Sequence, residues 1–395
     1  MQRQMVDGTE LRGRVEGLQK RLREEGIDGS LLLQRADLIY YTGAVFQGAL
    51  LLPTSGEGRL FVWKAAGRIG EECPFPVITV KGFGRLPEAL EGIAPDWRVV
   101  GIEEDTVPVG WWRHAALAVW PDAGWRDIGP AIRWQRSVKS PAEREHTRAS
   151  GAALSAGFQA LPGLIEEGIP EYEVQAQMDV VMRRAGDQAG GRVRGFNGEA
   201  RGVVAWGPSA SVDAPFDGPI GQPGRNPLAP MGAGGALLEP GLPIIVDHTA
   251  GVNGYMTDMT RTFSLGSLEA RFTEAHAFCV QVLEEVVRRF VPGAIPAELY
   301  AWALAEAEQA GFAEHFMNRG PNKVRFLGHG IGLEMDEWPV LARPFTDPLI
   351  EGQVMAIEPK VIFEEGGVGV EDTVICRPGG GEVVTDMDRR LRDVS

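Results

Sequence analysis

A two-domain α/β (α+β) fold is what this sequence predicts, on three observations. The chain of 395 residues is longer than one hydrophobic core ordinarily supports. Its first third alternates short apolar runs with helix-like pieces, as strands and helices of one layered domain do. Near residues 133–140 a fresh helix start interrupts that rhythm, and long helices alternate with strand-rich segments thereafter. These boundaries give domains at 1–136 and 137–395.

Each element has a local reason. Residues 9–25, TELRGRVEGLQKRLREE, set Leu11, Val15, Leu18 and Leu22 at helical spacing, and Gly26 stops the helix. Six apolar runs follow: SLLLQ, DLIYYTG, ALLLP, RLFVW, FPVITV and WRVVGIE. Gly, Pro and pieces such as GRLPEALEGI separate them. A Trp-rich stretch then leads to Ile132. In SVKSPAEREHTRASG, Ser140 is placed to cap a helix and Pro141 to occupy its first position, with Glu143 and Glu145 at its positive end. A second helix is expected from Pro170 to Arg184. The stretch GQPGRNPLAPMGAGG (221–235) is a Gly/Pro loop whose length suggests that it borders a site. From residue 243, PIIVDHTAGVNGYMTDMTRTFSLG reads as a strand ending at Asp247, a turn, and a strand carrying Asp258. Helices are expected at about 268–290 and 296–310. Strands return in VMAIEPKVIF and VGVEDTVICRP.

Composition narrows the function. Apolar residues make up 44%, normal for a soluble globular protein. The net charge of −15 disfavours nucleic-acid binding, which needs clustered Lys and Arg. Cys73, Cys279 and Cys376 are odd in number and lie far apart, so neither a disulfide framework nor a thiolate zinc site is expected. No signal-like amino terminus and no bilayer-length apolar run occur, so the expected setting is cytoplasmic, away from membranes.

The chain has no HExxH helix, no GxSxG elbow and no phosphate-binding GxxxxGK[ST]. What it has is acids inside apolar strands: Asp247 after PIIV, Asp258 within YMTDMTRTF, Glu358 after VMAI, and Glu371 after VGV. Carboxylates are rarely buried unless paired or bound to a cation. Any one of them alone can be a strand-end acid or the partner of a cation such as Arg261. Four of them plus His329, set between glycines in GHGIGLEMDEWP, can hold two divalent cations. Oxygen donors with one nitrogen suit Mn, Fe, Co or Zn.

The segments VDHTAGVNGYMTDMTRTF, GHGIGLEMDEWP, AIEPKVIF and GVGVEDTVI together resemble metallopeptidase family M24: creatinase, prolidase, aminopeptidase P and methionine aminopeptidase. DLIYYTG and SVKSPAERE resemble the amino-terminal domain and junction of the creatinase/prolidase branch. The resemblance implies a creatinase-like α/β domain followed by a pseudo-twofold pita-bread catalytic domain, and a homodimer. It implies two divalent ions, manganese first, with Co, Zn or Fe as alternatives. Asp247 would bind one ion, His329 and Glu358 the other, and Asp258 and Glu371 would bridge. Such ions make water nucleophilic at neutral pH, and Glu358 would carry its proton to the leaving nitrogen. Gly328, Gly330 and Gly332 would allow close backbone approach beside the ions.

The sequence departs from this pattern where relatives place histidines that face substrate. Those positions fall here on Pro230, on Arg325, four residues before His329, and on Asp336, seven residues after it. An ionised carboxylate accepts hydrogen bonds and repels a developing oxyanion. Asp336 can instead bind a cationic substrate group, pair with Arg325, or stay protonated as a donor. His248 points away from Asp247 on a strand, which gives it a role in packing or in supporting the ligands from behind. The leading expectation is a metallohydrolase of the Xaa-Pro peptidase type acting on small peptides or amides. The alternatives are a creatinase-like hydrolase or lyase of a small non-peptide compound, and a non-catalytic metal- or peptide-binding relative. Glu358, Asp336 and Arg325 are the candidate catalytic residues. Trp111, Trp112, Trp120, Trp125 and Trp134 form either a dimer contact or a local core.

Overall fold

The computed structural model describes residues 6–188, 191–196, 198–200, 202–213 and 215–395, and divides into two compact units, Met1–Arg136 and Ser137–Ser395. No helix among the described residues is long and apolar enough to cross a membrane.

In the first unit the amphipathic helix Gly8–Glu24 buries Leu11, Val15, Leu18 and Leu22, and the Asp7 side chain caps it through the Thr9 amide at 2.7 Å. Six strands form one mixed sheet. Their spatial order is Val77–Thr79, Arg59–Lys64, Gln47–Pro53, Gly29–Leu32, Val99–Ile102 and Gly124–Asp127. One apolar run departs from the strand pattern: DLIYYTG lies in the helix Arg35–Thr42. Its ends explain this. Gln34 accepts the Asp37 amide at the start, and Gly43 closes the helix at φ 72°, a conformation few other residues adopt without cost. Of the five tryptophans named above, Trp112, Trp120 and Trp125 join the local core. Trp120 stacks on Trp97 with ring centroids 5.1 Å apart, and Trp112 meets Trp125 edge-on, while Trp111 is exposed and stacks on Phe83.

The second unit repeats one motif, a helix pair followed by strands. Helix Pro141–Ala160 begins with a complete capping box between Ser140 and Glu143. With helix Glu171–Ala185 it packs, through a core including Leu154, Phe158, Val174 and Met178, on a four-stranded sheet. That sheet runs in the order Arg392–Asp393, Tyr255–Ser264, Pro243–Val252, Val203–Trp206. The second pair, Ala270–Arg289 and Pro296–Gln309, shares a core with Phe316, Leu327, Met355, Ile357 and Val361. Its strands form a five-stranded sheet, in the order Glu337–Val340, Gly328–Gly330, Val354–Ile357, Asp372–Ile375 and Glu382–Val383. The hairpin Lys360–Phe363/Gly366–Gly369 stands beside it.

Two local expectations change. The strand carrying Asp247 does not end there but continues to Val252. Residues 248–252 find partners in 255–259 because Asn253 and Gly254, at φ 52° and 86°, make a two-residue hairpin turn. The glycines around His329 serve sheet packing. A Cβ at Gly330 would lie 2.5 Å from the Trp338 carbonyl oxygen, and one at Gly332 would lie 2.9 Å from the Glu337 carboxylate.

His276 lies buried on the core face of helix Ala270–Arg289, and its Nε2 has no hydrogen-bond partner. Burial, with the Arg261 charge in support, pushes the imidazole down to about 4, so the native ring is neutral. In the unfolded chain it binds a proton near its ordinary value of about 6.5. Its contribution to stability is therefore present above that value and lost as pH falls toward the folded value. Between pH 7 and pH 5 this group alone should cost about 2 kcal/mol. Urea unfolding at both pH values, compared with His276→Leu, measures that share as the part of the pH dependence that the substitution removes.

Candidate metal centre

The long hairpin supplies two acids on one face. Asp247 pairs across the ladder with Thr260, and Asp258 lies two residues from Thr260, so the carboxylates are diagonal neighbours. Glu371 arrives from the other half of the domain. A bridge between Thr260 and Glu371 joins the sheets, with Glu371 N donating to Thr260 O at 3.0 Å. The Thr260 hydroxyl donates to Glu371 Oε2 at 2.7 Å. Thr373 holds the next rung, its Oγ1 2.8 Å from the Asp258 amide. His329 pairs with Ala356 in the five-stranded sheet, which brings its Nε2 to 3.7 Å from Glu358 Oε1.

Ligand atoms of Asp258, His329 and Glu371 lie within 4.8 Å of one another, as do those of Asp247, Glu358 and Glu371. Asp258, Glu358 and Glu371 are buried; Asp247 and His329 are partly open. Arg261 does not pair with these carboxylates. It donates to the Thr260 and Glu371 carbonyls at 2.8 and 2.7 Å and to Asp372 Oδ1 at 2.7 Å, bracing the backbone that presents them. On the opposite strand face, His248 Nε2 lies 3.0 Å from Asp179 Oδ1.

Lys360, which sequence reasoning passed over inside AIEPKVIF, stands in the middle of the acids. Its Nζ lies 3.1 Å from Asp247 Oδ2, 2.6 Å from Glu358 Oε2 and 3.0 Å from Glu371 Oε2. The available signal was its spacing: two residues beyond Glu358, in extended chain, a side chain returns to the same face.

One ammonium does not neutralise four carboxylates. Burial raises Asp258 well above the usual carboxylate range, and Glu371 and Asp247 add to the effect. Burial also lifts Glu371 to about 8; Lys360 pulls it down, and Glu358 and Asp247 push it up. Glu371 Oε1 is buried with no hydrogen-bond partner. A vacant acceptor beside an acid and an imidazole fits a hard or borderline divalent cation.

These features define a class, the divalent-metal hydrolases. Residues 145–378 match the model of Metallopeptidase family M24, and residues 14–138 that of the Creatinase/Prolidase N-terminal domain. The chain belongs to metallopeptidase family M24 and has its pita-bread fold. It is 25% identical over 388 residues to the Xaa-Pro dipeptidase of Pyrococcus furiosus, covering 96% of this chain and 100% of that one. The solved prolidase of Pyrococcus horikoshii OT3 superposes with a TM-score of 0.82 at 24% identity, covering 96% of this chain and 99% of that one. For the X-Pro aminopeptidase of Thermotoga maritima MSB8 the TM-score is 0.78, with the same identity and coverage.

The departing positions have separate surroundings. Asp336 Oδ1 accepts the Arg194 amide at 3.1 Å, and Met335 N donates to Arg192 O at 2.8 Å, so this turn anchors the segment 191–196. Arg325 is exposed, and no ion pair joins it to Asp336 among the described residues. The neighbouring Glu337 pairs instead with buried Lys139, at 2.9 Å. Pro230 sits in a loop fastened to helix Glu171–Ala185, where Gln175 accepts the Ala233 amide and Glu171 the Gly234 amide.

A divalent ion that binds this donor set should stabilise the native chain. At free ion about 100-fold above Kd the gain is about 2.7 kcal/mol, read as a rise in Tm that a chelator reverses. Asp258→Asn should remove most of that rise, as differential scanning calorimetry with and without the ion will show.

Proposed function

We propose that this protein hydrolyses the amide bond preceding proline in short peptides, with divalent ions, manganese first, held by Asp247, Asp258, His329, Glu358 and Glu371. The observation that carries this reading is the convergence of four carboxylates and one imidazole at the junction of two sheets, within a chain that matches the family over 145–378. The names of the relatives, Xaa-Pro dipeptidase and X-Pro aminopeptidase, supply the substrate class. When bound, divalent ions in such a centre polarise the scissile carbonyl and lower the pKa of an attacking water.

The chain's own residues do the rest. Glu358, whose Oε1 faces His329, accepts the proton of the attacking water and returns it to the leaving nitrogen. Thr260, Thr373 and Arg261 keep the acids in position through the bonds described above. Asp336 supports the reaction through the segment it anchors, since its Oδ1 already accepts an amide. Exposed Arg325, shortly before His329, offers a forked donor to a peptide carboxylate. The same reading takes the protein as a cytoplasmic homodimer; its three free, buried cysteines suit a reducing compartment.

Assays with manganese on Xaa-Pro dipeptides, longer Xaa-Pro peptides and small amides test the proposal. Glu358→Gln should lower kcat by roughly 10²–10⁴-fold on the Xaa-Pro substrates. A wild-type chain that carries its metal and turns over none of them would defeat the peptidase reading.

A further inference from the structure

Lys360 has no route to solvent: its side chain is fully buried. The fold makes room for it inside the centre. Lys360 pairs with Gly369 across the hairpin, and a Cβ at Gly369 would lie 2.5 Å from Lys360 Cγ, so a side chain there would collide with the lysine stem. Its backbone is fixed from the other side, where its carbonyl accepts the Met317 amide at 2.8 Å. An ammonium has three N–H donors. Here three carboxylates, from Asp247, Glu358 and Glu371, stand at 3.1, 2.6 and 3.0 Å, and each can take one donor.

These are the same three side chains whose oxygens form one of the two candidate cation groups. A divalent ion there would need those oxygens at about 2.0–2.6 Å, in the space the ammonium occupies. Expelling the ammonium would leave a buried charge without partners, which is costly. The other group differs. Neither Asp258 nor His329 forms an ion pair with Lys360 among the described residues, and the unpartnered Glu371 Oε1 belongs to the residue that this group shares with the lysine.

We propose that Lys360 is a built-in cation standing in place of one of the family's divalent ions, so that the centre takes a single divalent ion, on Asp258, His329 and Glu371. This rests on reading the acids as an M24 metal centre, and it narrows that reading from two exchangeable ions to one ion and one fixed ammonium. Lys360 is thereby a residue that sets metal stoichiometry, and with it how Asp247 and Glu358 are held.

The test counts ions rather than turnover. The full chain is loaded with excess Mn²⁺, desalted and analysed by plasma mass spectrometry, with a calorimetric Mn²⁺ titration alongside. The expected stoichiometry is about one ion per chain for the wild type and for Lys360→Arg, and about two for Lys360→Ala. Two ions in the wild type overturn the assignment and leave metal-dependent hydrolysis intact. One ion in Lys360→Ala also overturns it, since the lysine would then not limit the count. No ion in the wild type overturns both this assignment and the metal centre. One ion in the wild type with no hydrolysis of any Xaa-Pro peptide supports the stoichiometry and defeats only the peptidase reading. Should Lys360→Ala fail to fold, anomalous scattering at the manganese edge from wild-type crystals decides. A peak on Asp258, His329 and Glu371 alone supports the proposal, and a peak among Asp247, Glu358 and Glu371 overturns it.

Discussion

Four carboxylates drawn together in a largely buried space impose the constraint around which the catalytic unit is organised. Like charges that close repel strongly where water is excluded, and the carboxyl groups of Asp258 and Glu371 are raised by burial first, with the neighbouring acids adding to it. The fold answers with rigidity beneath the acids and positive charge among them. Arg261 supplies the first. It ties the hairpin carbonyl of Thr260 to that of Glu371, and its tie to Asp372 is shared with Thr385 and Arg389. Lys360 supplies the second, with a charge the chain carries within itself.

This division of labour bears on chemistry. A buried guanidinium bonded mostly to carbonyls neutralises little of the cluster but prevents the strands from separating under its repulsion. The remaining negative charge is what makes the centre receptive to a cation, and a dry site strengthens every such interaction. The same economy appears around GLEMDEWP. There Glu337 binds Lys139 from the start of the unit, and Asp336 binds the backbone of Arg194. The acids of that turn fasten chain segments together, and one of them, Asp336, does so at a position where the family resemblance leads one to expect a donor facing substrate.

Much of the architecture was legible before folding. Ser140-Pro141 with Glu143 marked the helix that opens the second unit, because a capping box is a contact between residues three apart. Leu11, Val15, Leu18 and Leu22 marked a buried helical face for the same local reason. DLIYYTG was not legible, since a short apolar run suits a strand or a buried helix equally and only its caps at Gln34 and Gly43 separate them. The continuation of the strand past Asp247 depended on a hairpin partner, and the glycines near His329 answered to strands that arrive later in the chain.

By itself the sequence determined which side chains were unusual: acids embedded in apolar strands and a histidine between glycines, patterns that burial energetics makes conspicuous at any single position. Tertiary structure alone decided what those side chains face. That Glu371 meets Thr260 across 111 residues, that Asp336 meets an amide of Arg194 rather than Arg325, and that Lys360 reaches three acids at once are outcomes of strand pairing between distant segments. Electrostatic partners are set by distance in space, and distance in space follows from sheet register, which no local pattern encodes.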